Sequence, residues 1–223
     1  MKNTIKKELQ DLNKSFVKEY AKKHKYKSIA NWPYAKIDDA FIWILIHPTY
    51  NKGIITVRGL SGIKPYSFDD LFWDIFDMSS NKNAPMSLRC NGAYTCPSDD
   101  ICWIERKTEN FDDVYDLLND VAKENDVAIE KYISETKEKY KCIEERFLTI
   151  PDPPDNRPPD RAVLLRVLAN IYFKNHEDAL KIINDYPRCT GGFATRFINK
   201  DKTITDKTIL QYCEEFCLKN IDT

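Results

Sequence analysis

Asp99-Asp100 followed by Glu105-Arg106-Lys107 is the arrangement in this 223-residue chain that comes nearest to a catalytic one. Two carboxylates hold a hard cation such as Mg²⁺, and a lysine stabilises charge developing on a phosphate, which together equip a metal-dependent phosphodiesterase or nuclease. Asp99 or Asp100, Glu105 and Lys107 are the residues such an enzyme would use. Only four residues separate the two elements, so on one extended strand the carboxylates fall too far apart to share an ion. Glu-Arg-Lys on a polar edge strand also serves to keep sheets from pairing edge to edge.

The cysteines and histidines give weaker signals. Cys213 and Cys217 are four apart, one face of a helix, and could supply two zinc ligands with Cys189 or His176 as distant helpers. Ile209, Tyr212 and Phe216 share that stripe, and the plainer reading makes both thiols core fillers. Cys90-x5-Cys96-x5-Cys102 lacks the close cysteine pair of structural zinc sites. Cysteine catalysis needs a nearby His, and none of His24, His47 and His176 sits in a catalytic signature. Gly59-x-x-Gly62, Asn91-Gly92 and Gly191-Gly192 are turns or close approaches, with no Lys-Ser/Thr after them to make a phosphate loop. No cofactor is expected, and catalysis is not favoured.

Binding has more material. Asp69, Asp70, Asp74 and Asp77 surround Trp73, and the apolar residues Leu71, Phe72, Ile75 and Phe76 overfill one stripe of a short helix. An exposed Trp73 amid those carboxylates would be an acidic surface with an aromatic anchor. Asp112, Asp113 and Asp116 open a second acidic stretch; between Glu109 and Glu138 ten acidic residues face three Lys. Against this, Met1 to Ser28 holds nine Lys and three acidic residues, so the plainest use of the basic segment is to lie near the acidic one. Lys14 to Lys27 carries Phe16, Tyr20 and Tyr26 but no Arg, the usual tool for base and bidentate phosphate recognition, so nucleic-acid binding is not expected.

The elements that position these residues follow from periodicity. Ile5, Leu9, Leu12, Phe16 and Tyr20 recur at helical spacing. Ala40 to His47 reads as a strand buried on both faces, with strands at Tyr34 to Ile37 and Ile54 to Arg58 completing an antiparallel meander around turn chemistry at Tyr50-Asn51-Lys52-Gly53. Ser67 is placed to cap a helix, with Asp69 and Asp70 favourable near its positive end. Met86, Leu88 and Cys90 alternate with polar residues as a half-buried strand, expected to pair with Ile101 to Lys107. Asn110 starts a helical region running to about Leu148, with Asn125-Asp126 a candidate break. Pro151 to Pro159 is a stiff connector. Helical patterns at Arg161 to Lys174, His176 to Tyr186 and Asp206 to Leu218 follow it.

The expected fold is therefore α+β: an N-terminal helix, an antiparallel sheet of about four or five strands with packing helices, then a Pro-rich linker and C-terminal helices. The domain expectation is a body at 1–150, a linker at 151–159 and a helical tail at 160–223. A net charge of −1 exerts no general pull on nucleic acid or an acidic membrane. Met1 to Gln10 lacks the apolar run of a signal peptide, and Ala40 to Ile46 is far too short to cross a bilayer. With seven cysteines, an odd number, a reducing cytoplasm is the expected compartment.

The Lys-rich first helix, Lys25-Tyr26-Lys27, Phe41-Ile42-Trp43-Ile44, Phe72-Trp73-Asp74-Ile75 and Pro85-Met86-Ser87-Leu88-Arg89 together resemble small bacterial families of unknown function, some associated with toxin–immunity loci. The resemblance spans about Met1 to Lys107 and carries no catalytic residues. It implies an interaction role. The functional expectation is thus a cytosolic protein-binding module, immunity-type or adaptor, taking a protein partner such as a basic toxin, with metal-dependent phosphodiesterase chemistry as the alternative.

Overall fold

The computed structural model describes residues 2–91, 95–152, 159–191, 197–198, 204–205 and 207–221. Gly92, Tyr94, Gly192, Asp206 and positions 153–158 of the Pro-rich connector lie outside them. The fold is α+β, with an N-terminal helix, a five-strand antiparallel sheet and C-terminal helices. Among the described residues no helix is long and apolar enough to cross a membrane. The chain divides into two compact units: unit 1 comprises Met1–Lys64, Arg89–Gly92 and Ser98–Glu138, and unit 2 comprises Pro65–Leu88, Ala93–Pro97 and Lys139–Thr223.

Unit 1 begins with α1 (Lys2–His24), whose apolar stripe buries Leu9, Phe16, Val17, Tyr20 and Ala21. Lys22, Lys23 and His24 in its last turn complement the negative end of the helix. The sheet is a meander in the order β1 (Lys27–Ile29), β2 (Trp32–Ile37), β3 (Ala40–Asn51), β4 (Ile54–Pro65), β5 (Asp99–Thr108). Two of its turns are two-residue hairpin loops built from left-handed residues: Ala30 and Asn31 at φ 48° and 65°, Lys52 and Gly53 at φ 49° and 90°. That conformation matches the strand twist and fixes the register on either side. The sequence underestimates β4, which runs on past Arg58 to Pro65.

This extension explains a mistaken pairing. Met86 to Cys90 is not a strand; after a turn closed by Leu88 N–H on the Pro85 carbonyl (2.9 Å), the chain forms α3 (Leu88–Asn91). The partner of β5 is β4, from Ile55 opposite Thr108 to Ile63 opposite Asp99. Five alternating letters fit a helical turn as well as a strand, and the longer β4 supplies the ladder.

α4 (Val114–Lys139) runs through Asn125 and Asp126 without a break. The cause is satisfaction of both polar groups: Asn125 Nδ2 donates to the Val121 carbonyl (3.4 Å), its Oδ1 accepts from Cys102 Sγ (2.8 Å), and Asp126 accepts from the Tyr20 hydroxyl. α4 lies close against β4, and Gly59 makes that approach feasible. A Cβ there would come within 2.3 Å of Val121 Cγ1 and 2.5 Å of Asn125 Nδ2. α1 packs beside α4, as the basic and acidic stretches anticipated. What meets, however, is aromatic: Phe16 sits edge-on to Tyr115 at 5.9 Å, and His24 Nε2 is 3.5 Å from Asp126.

Unit 2 contains α2 (Tyr66–Ile75), α5 (Ile143–Arg146), α6 (Asp160–Tyr172), α7 (His176–Asp185), a small ladder of β6 (Phe197–Ile198) with β7 (Ile204–Thr205), and α8 (Ile209–Asn220). Its core joins Phe68 and Phe72 of α2 to Phe147, to the apolar residues of α6 on either side of Arg166 and to α8. Ser67 does not cap α2. The helix starts after Pro65, and the Ser67 hydroxyl donates to Glu144 Oε1 at 2.5 Å.

Candidate functional site

The residues singled out on α2 separate into two roles. Trp73 is 1% exposed and Asp69 0%, which corrects the expectation that both face a partner. A short helix that is apolar on most of its circumference is buried on most of it. Asp69 accepts the Cys96 backbone N–H at 2.8 Å and thereby ties down the segment before β5. Asp70, Asp74 and Asp77 do come together. Asp74 and Asp77, with Phe76, Tyr212 and Phe216, line a groove of about 670 Å³ between α2 and α8. Asp70 and Asp74 line an adjoining one of about 480 Å³ with Tyr172 and His176. Cations offset this acidity: Lys82 holds Asp74 and Lys207 holds Glu215, each at 2.6 Å. The groove is amphiphilic and of mixed charge.

The second acidic set lies at the start of α4. Asp113 accepts from Thr108 Oγ1 (2.8 Å) and Asn110 Nδ2 (3.1 Å), while Asn110 Oδ1 accepts the Asp112 N–H (3.2 Å). Asn110 thus caps the helix N-terminus, and Asp113 braces that cap through Thr108 and the Asn110 amide. Asp112, Asp116 and Asp120 are exposed, and between them Tyr115 is 44% exposed. Tyr115 stands at the rim of a groove of about 250 Å³ that also draws on Phe16, Tyr20, Lys23, Asn119 and Asp126. Inside it, burial first and the Asp126 hydrogen bond second push the Tyr20 hydroxyl far above its usual range, so the proton stays on the phenol. An exposed aromatic side chain among carboxylates is therefore found on α4 and not on α2.

The residues of the phosphodiesterase alternative are strung along β5. Asp100 and Glu105 are five residues apart on an extended strand, about 16 Å. Asp99 accepts from the Tyr132 hydroxyl at 3.0 Å, and Glu105 bridges Arg58 (2.8 Å) and Lys107 (3.0 Å). The Arg58 hydrogen bond, then that of Lys107, hold the Glu105 carboxyl below the usual carboxylate range. Nothing here converges on one point. Cys213 and Cys217 are fully buried in the unit 2 core, and burial pushes both thiols up, Cys217 to about 11. Among the described residues, no three His, Cys, Asp or Glu side chains lie close enough to hold a metal ion. Burial also raises Cys90 (to about 11), Cys102, Cys142 and Cys189, leaving these thiols protonated and poor nucleophiles.

A surface that the sequence reading overlooked lies on the same strand. Gly59 faces α4, as do Ser61, Cys102 and Ile104; on the opposite face stand Arg58, Leu60, Trp103 and Glu105. Trp103 is 69% exposed. Its phase marks it, because Trp103 alternates with buried Ile104 and shares a face with Glu105 and Lys107.

Comparison with known proteins gives no match: no family model fits the chain, and no curated protein or solved structure is significantly similar to it.

Proposed function

We propose that this chain is a protein-binding module that takes a basic partner on the outer face of α4. One observation carries this reading: Tyr115, a half-exposed aromatic, sits at a groove rim between the exposed carboxylates of Asp112 and Asp116. Aromatic anchors supply contact area at small entropic cost, and surrounding charges steer and select the partner. Occlusion of a basic, toxin-like surface is one form of such a role, and an adaptor is another. The acidic residues Asp70, Asp74 and Asp77 of unit 2 are a weaker candidate taken by themselves, since Lys82 already engages Asp74.

The experiment is recovery of stoichiometric partners on the tagged chain, then affinity measurement with Asp112, Asp116 and Asp120 all changed to Lys. Expected is a loss of at least about tenfold in affinity and a collapse of its salt dependence. Unchanged affinity and salt dependence would reject this face as the binding site.

A further inference from the structure

Neighbouring strands bring together residues that the sequence keeps far apart. Ile29 pairs with Trp32 across β1 and β2, and Leu60 with Trp103 across β4 and β5. Tyr34 opposite Trp43 sets Trp32 beside Leu45, and the two-residue Lys52-Gly53 turn sets Leu45 opposite Leu60. Ile29, Trp32, Leu45, Leu60 and Trp103 thus form one apolar row running across all five strands, on the face opposite to Gly59 and α4. Trp32 and Trp43 rings lie 5.3 Å apart, thickening that row. The solvated face of an antiparallel sheet ordinarily carries polar residues at these positions. Here none of the five is polar, none is fully buried, and the last is the most exposed large apolar side chain among the described residues.

Cations flank the row on both sides. The same register places Lys27 and Lys36 on one side, Arg58 and Lys107 on the other, against two carboxylates in these flanking rows, Asp100 opposite Gly62 and Glu105 opposite Arg58; Lys36 also pairs with Asp39 at 3.7 Å. The geometry points to a second docking surface, distinct from the α4 face: a seat for an amphipathic helix of a partner protein whose apolar stripe is bordered by Asp and Glu. Four inter-strand gaps span about 19 Å, the length of a helix of about 13 residues. A helix laid on a sheet is the usual way to bury a sheet face. Excess positive charge disfavours a second copy of the same face and favours acidic flanks. Single-stranded nucleic acid is a poorer fit, since the aliphatic centre of the row, Leu45 and Leu60, offers no ring to stack on.

The full chain is panned against a displayed library of helical peptides with randomised surfaces, and enriched peptides are then measured on Trp103→Ser, Trp103→Phe and Arg58→Glu. Expected are sequences with apolar residues at i, i+3 or i+4 and i+7 between Asp and Glu. Trp103→Ser should weaken them about 30-fold, Trp103→Phe only a few-fold, and Arg58→Glu several-fold. Asp112→Lys with Asp116→Lys leaves this binding unchanged, which separates the outcome from that of the α4 reading. The inference is overturned by enrichment of Lys- and Arg-flanked peptides, by no enrichment, or by peptides indifferent to Trp103→Ser. Saturable quenching of Trp103 by a dT20 oligonucleotide with steep salt dependence overturns it in favour of nucleic acid. A concentration-dependent dimer abolished by Trp103→Ser overturns it in favour of a second copy.

Discussion

The two faces of the unit 1 sheet are built from alternate residues of the same strands, yet they obey different rules. On the helix side, Ile42, Ile44, Ile46, Ile55 and Val57 are sealed, and close packing with α4 leaves no room for a Cβ at Gly59. On the other side, Trp103, Arg58 and Lys107 reach solvent while forming an ordered row with an ion-paired border. One face is sealed along its length, whereas the other is open around Trp103 and closes again at Phe41 and Tyr34, so parity together with place along the strand decides what a substitution costs.

Four substitutions test that contrast, from the largest effect to the smallest. Ile44→Ala removes a fully buried side chain from the helix side and should cost about 2–5 kcal/mol, read by denaturant unfolding. Gly59→Ala adds one methyl where α4 is already in contact and should cost about 1–3 kcal/mol. If it proves neutral, α4 sits more loosely on β4 than described. Trp103→Ser, one residue from buried Ile104, should change stability by no more than about 0.5 kcal/mol in the same assay. A cost as large as that of Ile44→Ala would mean that this face, too, is governed by packing. Glu105→Gln should matter least and only with pH. Because its carboxyl is held low in the folded protein, its contribution is present above the ordinary carboxylate range and fades as pH falls through the folded value. The wild-type melting temperature should therefore drop slightly more than that of Glu105→Gln between about pH 5 and pH 3.

Much of this architecture can be traced to local letters. The stripe of α1, the apolar run of β3 and the helical spacing of α6, α7 and α8 each announce an element, because burial of one face imposes one period. Faces were harder to assign. Ala40 to His47 has no polar alternation, so nothing in it tells that Trp43 and Leu45 are only half-buried while Ile42, Ile44 and Ile46 are sealed. That distinction comes from register, which the hairpin turns set. Trp73 misled for a related reason: apolar excess on α2 reflects burial on several sides, which a helix projection taken alone cannot distinguish from a surplus left outside. The row from Ile29 to Trp103 spans residues up to 74 positions apart, and only strand pairing assembles it.

The order in which the chain visits its two units has a practical corollary for anyone cutting it into pieces. Unit 1 leaves off at Lys64, resumes briefly at Arg89, and acquires β5 and α4 only after Ser98. A fragment ending at Lys64 would lack both, leaving the backbone amides of β4 unpaired along one edge and Ile55 and Val57 without their helical cover. Such an apolar, open edge invites intermolecular strand addition, so that fragment should be recovered as aggregate. Fusion of Lys64 to Ser98 through a short flexible linker removes the excursion into unit 2 but also the Arg89 carbonyl that accepts from buried Lys64 at 2.9 Å. Such a design for expressing unit 1 as an independent domain therefore calls for a polar or apolar replacement at Lys64.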